Sequence, residues 1–247
     1  MALRLARLGL LPLAGTAAIL FYAGRSLPAI GDPEQPAATH VSPRYIEDAQ
    51  RETGAANMVT AVLADYRAYD TLGETVVIFT AGLACLLVLG TLGPPRQETA
   101  SDRSLVHPIG SDVVDVTARL LIPFLLLFSS YVVIHGHYSP GGGFQGGAIL
   151  GGAAILVRLV RGQNEISLLD SRRGLILASL GVLLFAAIGL GSIPFSGAFL
   201  DYGALPLPLE GAHLRETATL AVEIGVFFAV TAVLVLIFES LTTGAGE

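Results

Sequence analysis

The chain has 247 residues, 53% of them hydrophobic and 14% charged, and a formal net charge of −6. A mean hydropathy of +0.68 lies far outside the range of soluble domains and places it in a membrane, while the negative charge argues against a nucleic-acid partner. Every basic residue is an arginine, and the lone Cys85 excludes an intrachain disulfide.

Apolar runs of about 20 residues, enough to cross roughly 30 Å of hydrocarbon, recur six times, at about 5–23, 74–93, 113–135, 143–161, 172–194 and 216–240. The expected fold is all-α, a polytopic protein of about six transmembrane helices. Residues 1–93 read as a two-span module, 94–112 as a cytoplasmic linker overlapping the polar stretch TLGPPRQETASDRSLVHP at 91–108, and 113–247 as a four-span module with short connections.

Arg4 and Arg7 precede the first span, Arg96 and Arg103 lie in the linker, and Arg158, Arg161, Arg172 and Arg173 flank the connection between the fourth and fifth spans. If all six spans cross, these arginines share one side. By the positive-inside tendency that side is the cytoplasm, which then also holds both termini. The basic, apolar start fits either a cleaved signal peptide or a retained helix; the retained helix is the expectation.

In the first module, residues 53–66 read as a helix too short to span, leading into RAYDTLGE. A break is expected near Asp70 to Gly73, with Thr71 and Glu74 forming a T-x-x-E capping box. Read as a cap, Glu74 answers the helix dipole. Read as a site, a carboxylate at a membrane-embedded helix start is costly unless it faces a polar path, where it exchanges protons or binds a cation. Asp65 and Asp70 lie close to it in sequence, and the three make a cation access point.

The turn between the third and fourth spans reads HGHYSPGGGFQGGAILGG. Irregular backbone beside a bilayer core persists only where protein or water covers it, so this turn belongs inside an assembly. His135 and His137 have H-x-H spacing without further ligands at hand, which assigns no metal; at a helix end they satisfy backbone or carry protons. Gly143, Gly147 and Gly151 are spaced four apart, with Gly142 and Gly146 beside them, a surface for close helix approach. A phosphate loop is excluded, because no strand precedes and no Lys-Ser/Thr follows.

Glu216 and Glu223 are seven residues apart on the last span and share one helix face, with Thr219 between them. Glu216 fits an interfacial role holding Arg215 or a helix end. Glu223 lies roughly 10 Å deeper and needs either a partner on another helix or a carboxyl that stays protonated. Glu239 is expected only to meet the far interface.

The segment VIHGHYSPGGGFQGGAILGGAAILV, with EIGVFF later in the chain, resembles the signature of the B-type subunit (MnhB/MrpB) of multisubunit Mrp cation/proton antiporters, over about residues 110–240. VTAVLADYRAYDTLGETVVIF resembles the E-type (MbhE-like) module, over about 1–93; that module occurs at the C-terminal end of the large A-type Mrp protein and as a separate component of membrane-bound hydrogenases. The fusion of the two in one chain departs from those arrangements. The resemblance implies a non-catalytic, cofactor-free, multi-pass subunit of the cell membrane that works with other antiporter subunits exchanging Na+ for H+. Alternatives are a membrane subunit of an ion-translocating hydrogenase or related respiratory complex, and a purely structural scaffold. It also implies that Glu74 belongs to the ion pathway, where Asp70, Glu216, Glu223, His135 and His137 are further candidates. Pro140, Gly141, Gly142 and Gly143, with Gly147 and Gly151, would then serve packing and assembly.

Overall fold

A computed structural model describes residues 2–89, 112–161 and 171–244. The order is α1 (Ala2–Gly24), a π-helical turn (Ala37–Val41), α2 (Ser42–Glu47), α3 (Ala49–Thr53), α4 (Met58–Thr60) running on as a π-helical turn (Ala61–Tyr66), α5 (Ala68–Val88), α6 (Asp112–Ile134), α7 (Gly143–Arg161), α8 (Ser171–Gly191), α9 (Ile193–Ser196), a 3-10 turn (Tyr202–Ala204) and α10 (Gly211–Gly244). The protein is an all-α polytopic membrane protein. Five of these helices are long and apolar enough to cross a bilayer among the described residues. The remaining predicted span is α1, 23 residues long with Pro12 inside it.

Residues up to Ile46 form one compact unit and those from Glu47 onward another. In the first, α1 presents Leu13, Ile19, Leu20, Phe21 and Tyr22 to its surroundings. The second unit is organised around α10, whose most apolar window is 67% buried against 22% for both α5 and α6. A helix apolar on every side belongs at the centre of a bundle, and α10 takes that place.

Glycines let α10 be approached closely. A Cβ on Gly143 would strike the Glu223 carbonyl, and one on Gly147 would lie 2.8 Å from the Phe227 carbonyl oxygen. At Gly151 the nearest atoms are the Leu234 side chain at 3.2 Å. The predicted stripe therefore packs α7 onto α10 within the chain, and the Thr231 hydroxyl reaches across to the Gly147 carbonyl at 3.1 Å. Gly146 faces Val133 and the Ser129 carbonyl of α6 instead. On the other flank of α10, Gly181 of α8 and Gly225 meet backbone to backbone, a crossing that no spacing in the sequence announced.

Two local expectations are corrected. Thr71 does not cap α5: the helix starts at Ala68 after Arg67, and Thr71 lies inside it, donating to the Leu63 carbonyl at 2.6 Å. The π-helical turn before it leaves carbonyls offset, and Thr71 satisfies one of them, so the break falls at Arg67 rather than near Asp70 to Gly73. The helix expected over 53–66 starts at Met58, because Gly54 at φ +82 ends α3 and Asn57 caps α4, its side chain accepting from the Val59 N–H at 3.1 Å. The linker expected at 94–112 lies outside the described residues except Asp112, which opens α6.

Overpacking the α7–α10 contact should follow these distances. Gly147→Ala should destabilise the purified protein by about 1–3 kcal/mol and Gly151→Ala by less. Gly152→Ala, with nothing within 4 Å, should be neutral or slightly stabilising. Thermal unfolding in detergent checks the order.

Candidate functional site at the α7 N-terminus

The turn between α6 and α7 is held by the segment before α4. The Asn57 amide donates to the carbonyls of Gly136 at 2.9 Å and Ser139 at 2.8 Å, and its backbone N–H donates to the His137 carbonyl at 2.8 Å. Thr60 adds a bond to the Gly136 carbonyl at 2.7 Å. Irregular backbone that lipid could not satisfy is thus satisfied by protein. Asn57 and Thr60 were not singled out in the sequence, where a lone Asn ahead of an apolar stretch signals only a cap.

Gly142, at φ +137, turns the chain so that α7 begins directly over Glu223. Both Glu223 carboxyl oxygens lie 3.1 Å from the position a Gly142 Cβ would take, and the Gly143 backbone N–H donates to the carboxyl. A carboxyl from α10 therefore sits on the first turn of α7, where unpaired N–H groups and the helix dipole favour negative charge. Glu223 is 8% exposed.

Beside it opens a cleft of about 50 Å³ lined by Thr60, Thr71, Glu74, Gln145, Glu223 and apolar neighbours. Glu74 is exposed at its mouth and Glu223 buried at its floor. Two acids far apart in the sequence thus line one cleft, and Thr60, Thr71 and Gln145 are the other polar residues among its mostly apolar neighbours. Such a volume takes ~3 water molecules, at roughly one probe sphere each, or an ion stripped of part of its shell.

The other candidates are dispersed. Asp70 pairs with Arg67 on the surface. Asp65 is held by Arg215 in two parallel bonds of 2.9 and 3.0 Å, and Arg215 also reaches Asp201 at 3.4 Å. Glu216 accepts from the Tyr138 hydroxyl at 3.1 Å and lies 3.6 Å from His213, rather than holding Arg215. His135 stacks on Tyr131 with ring centroids 4.8 Å apart, whereas His137 is buried at 2% exposure. Pro140 is exposed in the turn, and Gly141 packs against the Val132 carbonyl. Far from this end, Glu239 makes a buried bidentate pair with Arg158 of α7, at 2.5 and 2.6 Å, instead of merely meeting the interface.

Residues 113–236, half of the chain, match a family described as a domain related to the MnhB subunit of Na+/H+ antiporter. The chain belongs to this MnhB-related family. Ahead of the MnhB region, residues 17–104 match the MbhE family, the E-type subunit of MBH. The chain is 33% identical over 134 residues to the B-type subunit of a Na(+)/H(+) antiporter of Bacillus subtilis, covering 53% of this chain and 93% of that protein. It is 28% identical over 232 residues, 84% of its length, to the A/B-type subunit of a probable K(+)/H(+) antiporter of Rhizobium meliloti, but spans only 22% of that protein. Among solved structures it resembles a chain of the Mrp complex from Dietzia sp. DQ12-45-1b, with a TM-score of 0.66 and 26% identity, covering 97% of this chain and 26% of that one. It also resembles a chain of the membrane-bound sulfane sulfur reductase, an archaeal respiratory membrane complex, with a TM-score of 0.62, 29% identity and 98% of both chains covered. A solved chain of the same extent therefore exists.

Burial holds the His137 imidazole below the ordinary histidine pKa of 6.5, against the opposing pull of the Glu216 carboxylate. With the folded value depressed, the unfolded chain takes up the proton first. The stability contributed is complete above about 6.5 and falls as pH drops below it, by up to ~1.4 kcal/mol per pH unit. Unfolding temperature between about pH 7 and 5 should fall less steeply in His137→Gln than in the wild type.

Proposed function

We propose that this MnhB-family chain is a non-catalytic membrane subunit of a multisubunit cation/proton antiporter module, and that the Glu74–Glu223 cleft lies on its ion path. The observation that carries this reading is the convergence of two carboxyl groups, from the MbhE-type and the MnhB-type regions, on one cleft at a helix N-terminus. A carboxylate within a membrane span is costly unless it serves a polar route. The transported ions would be Na+ and H+, by the relation to the Bacillus subtilis antiporter protein.

Glu74 and Gln145 are exposed at the mouth of the cleft, on helices that otherwise present apolar side chains. Other antiporter-type subunits are the natural cover for that polar mouth, with lipid around the rest. The chain would reside in the cell membrane with its termini in the cytoplasm. Arg158, neutralised by Glu239, adds little to that orientation signal, which rests on the remaining arginines.

A second reading, membership of a redox-driven respiratory complex, is favoured by the match over 98% of both chains to the sulfane sulfur reductase chain. The proteins that copurify in mild detergent separate the two: antiporter subunits alone, or antiporter subunits with redox subunits. Within either complex, Glu74→Gln and Glu223→Gln should each lower cation-dependent proton transport by about tenfold or more, with the complex still assembled. Glu223→Asp should retain part of it, because the charge survives on a shorter arm. Wild-type transport by assembled complexes carrying either Gln variant would remove the cleft from the ion path and leave a scaffold.

A further inference from the structure

Among the described residues, four buried side-chain polar atoms have no hydrogen-bond partner in the protein: His137 Nε2, Tyr202 Oη, Thr219 Oγ1 and Glu223 Oε2. All four residues are less than one-tenth exposed. Buried polar atoms without a protein partner are few in native proteins, and ordered water or an ion is one of the causes that account for them. Scattered through a fold they would say little. Here all four gather against one stretch of α10.

Glu223 and Thr219 are one turn apart on the same face of that helix. One turn further, Glu216 receives the Tyr138 hydroxyl and lies close enough to His137 to act on its charge. Tyr202 packs with Ala218 and Val222 of the same stretch. Burial pushes its phenol well above the usual range, the charges of Asp65 and Glu223 push it further, and Arg215 opposes them, which places the ring within electrostatic reach of all three. The stretch thus runs from the floor of the cleft at Glu223 to Arg215, which binds Asp65 and the partly exposed Asp201. Each unpartnered group accepts or donates a hydrogen bond, and each would do so with water.

We propose that His137, Tyr202, Thr219 and Glu223 line a buried file of water along α10, joining the Glu74–Glu223 cleft to the Arg215–Asp65–Asp201 cluster, and that protons reach Glu223 through it. The proposal deepens the function proposed above and rests on it for the direction of use, but the hydration itself does not. A file of water bonded to fixed side chains passes a proton by successive hand-over between neighbours, with no net change in any of them. Thr219 and Tyr202 act here as positioning residues, holding water in line. Glu223 is the group that gains and loses the proton.

Hydroxyl-radical labelling of the complex in mild detergent tests the file directly, since radicals form at bound water. Tyr202 and Phe185 are both 0% exposed and serve as an internal pair. Tyr202 should label about fivefold or more faster than Phe185, as a residue touching ordered water rather than dry core. Equal protection of the two would overturn the proposal. Thr219→Val and Tyr202→Phe keep shape and remove only a hydroxyl that bonds water, so both should still fold and assemble. Each should lower proton-coupled transport about tenfold in an assembled complex. Wild-type rates in both, beside a Glu223→Gln complex that has lost transport, would overturn the proton route while leaving the proposed function standing. Wild-type rates in Glu223→Gln itself would instead sink that function, and Tyr202 labelling would still decide whether the file exists.

Discussion

The arrangement depends on how closely the first turn of α7 approaches α10. Gly143 has no side chain to hold the Glu223 backbone away, and Gly147 continues the approach at Phe227. Once the two backbones touch, the Gly143 N–H falls on the Glu223 carboxyl. A buried acid in the membrane then becomes tolerable, because fixed dipoles replace part of its lost hydration. Any residue larger than glycine at position 143 would part the helices and leave both that N–H and the carboxyl without partners.

This contact sets what the surrounding segments must do. To reach α10 so directly, the chain between α6 and α7 has to turn tightly, which exposes carbonyls that lipid cannot satisfy. Asn57 and Thr60 answer them from the MbhE-type region, and the same segment leads through a π-helical turn into α5, carrying Glu74 to the mouth of the cleft. The Asp65–Arg215 pair pins that segment to α10 a second time. Because the Arg215 side chain is 28% exposed, removing one partner should cost less than the about 3–5 kcal/mol of a fully buried pair. The two regions therefore share one site: the MnhB-type region supplies the buried acid, the helix terminus and the turn, and the MbhE-type region supplies the brace and the exposed acid.

Much of this was legible in the sequence where a single period or a single misplaced charge carries the signal. Glycines four apart announce a packing stripe whatever it packs against, and Glu223 stands out as a charge inside an apolar run. The partner of the stripe was not legible: close approach between helices of one chain and between subunits has the same spacing. The Thr71–Glu74 capping box matched in letters, yet the Thr71 hydroxyl donates to the Leu63 carbonyl instead of accepting from a helix N–H, an arrangement set by a π-helical turn that no residue pattern marks. The Arg158–Glu239 and Asp65–Arg215 pairs are 81 and 150 residues apart, and such distance defeats any local rule. Tyr202 lies in a loop without periodicity, and only the fold brings it to α10.

On the proposed function, the Glu74–Glu223 cleft is a hydrated ion site completed by neighbouring subunits. A high-resolution cryo-EM reconstruction of the intact complex in lipid tests it most directly. Ordered solvent or a cation between Glu74, Glu223 and the Thr60 and Thr71 hydroxyls, beneath a polar group from a neighbouring chain, is the expected result. A cleft filled by an apolar side chain of a neighbour, with both carboxyl groups bonded only to protein, would contradict it.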